Sequence, residues 1–158
     1  MSTAFSNLLS DLDLEQLEDN IFRGVSRDFG GGRIFGGQVL GQSLKAAGLT
    51  VENDRSAHSY HGYFLRSGDT GKPVIYDVER IRDGRSFTTR RVVAIQGGKP
   101  IFNCSISFTI SEEGIAHQKT MPDVVAPYQL KNHQQIFQDY PDSPIRDARQ
   151  ALEKKIPF

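Results

Sequence analysis

The chain has a single cysteine, Cys104, and no tryptophan among its 158 residues. One thiol excludes an intramolecular disulfide and leaves no paired-cysteine metal site. The fold must therefore rest on an apolar core, which a chain of this length can bury without a covalent or metal staple. Net charge is missing too, since 19 Lys plus Arg balance 19 Asp plus Glu. A neutral chain has no overall field to draw in nucleic acid or an anionic membrane, so neither is expected as a partner. No apolar run approaches the ~20 residues that a membrane span requires. The opening Met1-Ser2-Thr3-Ala4-Phe5 lacks the basic-then-apolar order of a signal peptide. Together with the lone cysteine, these absences point to the cytosol.

What is present falls into alternating patterns. Leu8, Leu9, Leu12 and Leu17 recur at near-helical spacing and predict one or two short amphipathic helices. Asp13 followed by Gln16 resembles a capping box opening the second of them. Residues 21–28 read as a short strand with Phe22 and Val25 as apolar anchors, broken by Phe29-Gly30-Gly31-Gly32. Residues 35–48 then predict a helix entered through Phe35-Gly36-Gly37 and stopped by Gly48. Val39, Leu40, Leu44 and Ala47 fall near one face of it, and Lys45 is its only charged side chain, so much of its surface is expected to be buried.

Strands follow over residues 58–65, 74–82, 86–96 and 100–110, with Asp83-Gly84 and Gly97-Gly98 as hairpin turns. The last strand alternates cleanly: Phe102, Cys104, Ile106, Phe108 and Ile110 on one face, Asn103, Ser105, Ser107 and Thr109 on the other. Strands joined this way are expected to pair in sequence order. Ten-residue strands span ~33 Å and a 13-residue helix ~20 Å, so one sheet can wrap one such helix. This is the α+β hotdog architecture, over residues 1–122. Residues 123–158 hold Pro127, Pro141, Pro144 and Pro157 and few apolar anchors. They read as a connector with short helices at 130–140 and 145–155, and Lys154-Lys155-Ile156-Pro157-Phe158 reads as entry into another folded segment.

Three groups of residues could carry chemistry. The amides of Gly36, Gly37 and Gln38 open a helix, where unpaired N–H groups and the helix dipole suit an oxyanion, and glycine lets a ligand approach closely. The competing reading is that these glycines only allow tight packing after a loop. The helix holds no Asp or Glu; Gln38, Gln42 and Ser43 can orient a water but cannot take its proton. His58 is the low-ranking candidate for a base; with His61 three positions on, the two are expected on opposite faces of a strand, which also argues against a metal site. The third group is the basic hairpin Arg80-Ile81-Arg82-Asp83-Gly84-Arg85, with Arg90 and Arg91 nearby. Its arginine forks suit a phosphorylated carrier such as coenzyme A, with Arg82, Arg85, Ser86 and Phe87 as candidate contacts. The competing reading is a solvated turn neutralised by Asp77, Glu79 or Asp83.

Several of these segments in series resemble the bacterial acyl-CoA thioesterase II family. They are Phe35-Gly36-Gly37-Gln38-Val39-Leu40-Gly41-Gln42, the run from His58 to Asp69, Tyr76-Asp77-Val78-Glu79, Arg82-Asp83-Gly84-Arg85-Ser86-Phe87, Arg90-Arg91-Val92 and His117-Gln118-Lys119-Thr120-Met121-Pro122. The resemblance implies a double-hotdog enzyme that hydrolyses fatty acyl-CoA to free acid and CoA, with no cofactor beyond the CoA of the substrate. It implies further that this chain corresponds to the first repeat plus connector. The family's catalytic Asp, Thr or Ser, and Gln belong to the second repeat and match no position here. The expectation is half of a paired active site, inactive alone, that self-associates through its sheet and helix surface or pairs with a second repeat. A hotdog hydratase would need an acid in the helix. The alternative is a non-catalytic acyl-CoA-binding or assembly module.

Overall fold

The structure is a computed structural model of the chain and describes residues 3–28 and 32–139. The chain divides into two compact units, Met1–Glu112 and Glu113–Phe158. In the first, helix α1 (Thr3–Asp11) leads into two short strands, β1 (Glu15–Glu18) and β2 (Ile21–Gly24). Helix α2 (Gly36–Gly48) follows, then four long strands: β3 (Arg55–Phe64), β4 (Val74–Asp83), β5 (Phe87–Gln96) and β6 (Lys99–Ile110). All six strands form one antiparallel sheet in the order β1-β2-β4-β5-β6-β3, and α2 packs against β2, β4, β5 and β6. The second unit shows a 3-10 turn at Pro127–Gln129 and helix α3 (His133–Asp139). The helix expected over 145–155 lies outside the described residues.

Alternation builds the core. Phe102, Cys104, Ile106 and Phe108 of β6 are all buried on the α2 face, as are Val92 and Ala94 of β5 and Val74, Tyr76 and Val78 of β4. Each large apolar side chain so placed contributes roughly 1.5–3 kcal/mol. Gly97 and Gly98 adopt φ of 54° and 72°, the left-handed backbone that a two-residue hairpin turn demands. The other hairpin differs. Gly84 is not left-handed; a Cβ there would lie 2.8 Å from the Phe87 carbonyl oxygen, so glycine is needed for close approach.

Three expectations are corrected. Residues 15–18 form a strand paired with β2, not a second helix, so the Asp13/Gln16 pair caps nothing. The four long strands do not pair in sequence order: β3 leaves β4 and pairs with β6 along Arg55↔Ile110 to Phe64↔Phe102. The link from Leu65 to Pro73 is too long for a tight turn, and its first amides bond to Ile101 O, across the end of the sheet. On α2 the buried residues are Gln38, Val39, Gln42, Ser43, Ala46 and Ala47, while Leu44 is exposed. Small and amide side chains fill that face because the helix lies close to the sheet and the Gln38 and Gln42 amides find hydrogen-bond partners around it.

The sheet's two edges are unlike. β1 is four residues long with two glutamates, a protected edge. β3 is ten residues long and has neither Lys nor Pro, and Tyr63, Phe64 and Leu65 at its end are exposed. No helix among the described residues is long and apolar enough to cross a membrane.

Candidate functional site

The nose of α2 opens onto a cleft of about 440 Å³ lined mainly by apolar side chains, among them Ile34, Val39, Phe64, Ile101 and Phe102, with Gly36 at its wall. Gly36 is bare because a Cβ would stand 3.0 Å from the Phe64 ring, and Gly68 because a Cβ would stand 2.7 Å from Ile34 Cδ1. The segment entering the helix is tied to the β3–β4 link by Ile34 N–H donating to Gly68 O at 3.1 Å and by an isolated antiparallel backbone bridge between Arg33 and Asp69. Of the three amides singled out, that of Gln38 donates to Phe35 O at 3.0 Å. The amides of Gly36 and Gly37 have no hydrogen-bond partner among the described residues.

Beneath the helix lies a polar layer that sequence reading missed. Gln42 donates to Asp11 O at 2.5 Å and to Val25 O at 2.9 Å, and accepts from the Tyr76 hydroxyl at 2.6 Å. Gln38 donates to Val25 O at 2.8 Å and accepts from the Arg27 amide at 3.3 Å. These two amide side chains are therefore staples between α2 and the segment before it, not water-orienting groups. Asp11 is brought close to α2 through its carbonyl, and Arg27 Nε holds both its carboxylate oxygens, at 3.0 and 2.8 Å. Ser43 Oγ is buried with no partner among the described residues. Burial pushes the Tyr76 phenol far above its ordinary range, and burial with the Cys104 thiol alongside does the same to Tyr60. Burial also raises the Cys104 thiol.

The two histidines share a face, contrary to expectation. A bulge between Ala57 and Ser59 inserts His58 as an extra residue, and its Nε2 lies 2.9 Å from Ser107 Oγ on the face away from α2. His61 pairs with Ser105 on that same outer face and packs edge-on against Tyr63. The bulge shifts the period-two alternation by one residue, so side chains three apart come to the same face. Neither ring faces the α2 nose.

The basic hairpin resolves into two kinds of arginine. Arg90 is buried and donates to Thr50 Oγ1 and O, to Arg82 O and Thr89 O, and to Asp83 Oδ1 at 2.6 Å. Arg55 donates to Arg85 O, Arg80 to Asn20, and Arg91 pairs with Glu79. Arg90 and Arg55 thus hold the turn's backbone, while Arg80 and Arg91 are engaged by neighbouring side chains. Arg82 and Arg85 are exposed and have no carboxylate partner among the described residues, because Asp83 and Glu79 are already taken. Phe87 is exposed beside them, its ring centroid 5.6 Å from that of His58. Ser86 is half-buried and its carbonyl accepts from the Ile110 amide. Thr50, just past the end of α2, holds this turn through Arg90, so the hairpin and the glycine nose sit at opposite ends of a helix ~20 Å long.

One helix wrapped by one antiparallel sheet, with an apolar cleft at the helix nose, defines a single hotdog. The chain belongs to the acyl-CoA thioesterase N-terminal domain family, whose model matches residues 25–109. It is 45% identical to acyl-CoA thioesterase 2 of Haemophilus influenzae over 158 residues, all of this chain and 55% of that protein. The crystal structure of the acyl-CoA thioesterase II TesB2 from Mycobacterium marinum superposes with a TM-score of 0.68 at 50% identity, covering 77% of this chain and 45% of that one. A protein of unknown function with a hot dog fold from Alicyclobacillus acidocaldarius matches with a TM-score of 0.68 at 22% identity, over 83% of this chain and 49% of that one, which speaks for the fold alone. The chain spans about half the length of the curated relatives it matches.

Proposed function

We propose that this chain is the first half of an acyl-CoA thioesterase: residues 1–122 form the N-terminal hotdog, and residues 123–158 connect it to a second. The observation that carries the reading is a helix nose with two glycine amides unpartnered and no base facing it among the described residues, beside an apolar cleft, in a chain about half as long as relatives named as thioesterases. In the reaction, water adds to the thioester carbonyl as a base of the second repeat takes its proton. Donors at a helix nose, those of Gly36 and Gly37 here, hold the oxyanion. Its collapse expels CoA as thiolate and leaves the free fatty acid. No group besides water and substrate enters this sequence, and the setting is cytosolic.

The unprotected β3 edge is where the second repeat, or a second copy, adds. Two hotdogs meeting edge to edge about a two-fold axis run their β3 strands antiparallel. The hairpin end of one then lies beside the helix nose of the other, so each site draws on both repeats. The second reading, a binding module that never turns over, is favoured by the ion pair of Asp11 with Arg27, which occupies the carboxylate beside Gln42 with a structural contact. Mixing this chain with the separately produced second half of a relative decides between them. Thiol release from a fatty acyl-CoA in the mixture supports the half-enzyme, and a stable mixed complex with no release supports the binding module.

A further inference from the structure

Two β-bulges face each other across one end of the sheet, and both re-aim side chains to the surface away from α2. The bulge at Ala57/Ser59 turns His58 outward, and that at Arg80/Arg82 moves Arg82 off the face it would share with Val78 and Arg90. Arg82 thereby pairs with Thr89, Thr89 with Ser107, and Ser107 meets His58, making one continuous row across β4, β5, β6 and β3. Phe87 stands on the same face next to that row, opposite Thr109, and Arg85 projects from the turn. Bulges are devices for aiming side chains and concentrate near working sites.

The charges in this row are unspent. Arg90 and Arg55 hold the backbone carbonyls of Arg82 and Arg85, so the turn is fixed while those two guanidinium groups remain without carboxylates among the described residues. The Arg82 guanidinium folds over Gly84, its Nε 3.1 Å and its NH2 3.4 Å from where a Cβ would stand, so glycine makes room for it. Two free arginine forks suit phosphate, and an exposed aromatic ring beside them suits a stacked base. A simple anion site would not need the ring, and an apolar docking patch would not carry the forks.

Resting on the thioesterase reading above, we propose that the β4–β5 hairpin docks the phosphorylated adenosine head of the acyl-CoA, with Arg82 and Arg85 on its phosphates and Phe87, backed by His58, under the purine. Because the hairpin lies at the far end of α2 from Gly36, the head held here serves the helix nose of the adjoining repeat.

The test uses the 158-residue chain with adenosine 3′,5′-bisphosphate and inorganic phosphate as probes, followed by amide shift perturbation and calorimetry. The bisphosphate is expected to shift hairpin amides and to bind at least tenfold tighter than inorganic phosphate. Replacing Arg82 and Arg85 together by Ala is expected to weaken it at least tenfold. Phe87→Ala is expected to weaken the nucleotide several-fold and leave inorganic phosphate unchanged. Arg91→Ala, which removes an arginine already paired with Glu79, is expected to change neither. Unchanged binding in the double variant, shifts confined to the Gly36 end, or no binding overturns the dock. If the paired repeats hydrolyse acyl-CoA while the double variant still binds the head normally, the dock is wrong and the thioesterase reading stands. If the head binds as described but paired repeats release no thiol, the dock stands and the hydrolase reading fails.

Discussion

The Tyr76 hydroxyl donates to Gln42 Oε1 at 2.6 Å, and both side chains are almost wholly removed from water. Gln42 in turn donates to two backbone carbonyls, so a strand, a helix and the segment before the helix meet at one amide. Tyr76→Phe leaves a buried acceptor without its donor. The expected loss is about 1–3 kcal/mol in urea unfolding with an unchanged m-value. A loss below about 0.3 kcal/mol, within the error of such a measurement, contradicts the role given to this pair.

The buried phenols set the alkaline limit of the fold. Tyr60 and Tyr76 titrate in the unfolded chain near pH 10 but are held far above that when folded. A raised pKa means their contribution to stability is complete below about pH 10 and is lost as pH climbs beyond it, because the unfolded state releases protons that the folded state keeps. Thermal unfolding followed from pH 8 to 11 should therefore stay level in this respect and then fall. Tyr76→Phe is expected to flatten that fall; an identical slope in the variant removes the phenol from the explanation.

The arginines of the hairpin should separate in stability. Arg90→Met strips the turn of its bonds to Thr50, Arg82 O, Thr89 O and Asp83, and is expected to cost about 2–4 kcal/mol, below the loss for a wholly buried pair because Asp83 is itself exposed. Arg82→Ala and Arg85→Ala remove no side-chain hydrogen bond or ion pair among the described residues and should stay within about 0.5 kcal/mol of the parent. Chemical unfolding of the three variants checks this, and a large loss for Arg85→Ala shows that it is structural.

The exposed edge predicts association. Tyr63→Lys puts a charge on the outer face of β3, the device that natural edge strands use to refuse a neighbour. Sedimentation at micromolar concentration should show the parent self-associated and the variant shifted towards monomer. A parent that is monomeric throughout argues that the second repeat's edge, not a second copy's, is required.

Much of this was legible in the chain and some was not, for physical reasons. The alternation of β6 and the glycine-entered helix announced the sheet and the helix it wraps, because core-facing periodicity is a local property. Which strands neighbour each other is not local: β3 docks on β6 through a link that crosses the end of the sheet, and no turn signal encodes that. Gln38 and Gln42 read as site residues because an amide side chain looks the same whether it meets water or a backbone carbonyl. His58 and His61 share a face that their spacing does not announce, because a bulge is a single inserted residue without a composition of its own. The Asp11–Arg27 pair joins residues 16 apart across the β1–β2 hairpin, out of reach of any spacing rule.

The most direct measurement follows binding and turnover on one sample of this chain. A fatty acyl-CoA is titrated by calorimetry, and thiol release is then read from the same solution. The account predicts saturable binding with release no faster than the buffer rate, and a rise in rate when the second repeat is added. Turnover by this chain alone near that of a two-repeat thioesterase would place a base within these 158 residues and contradict it.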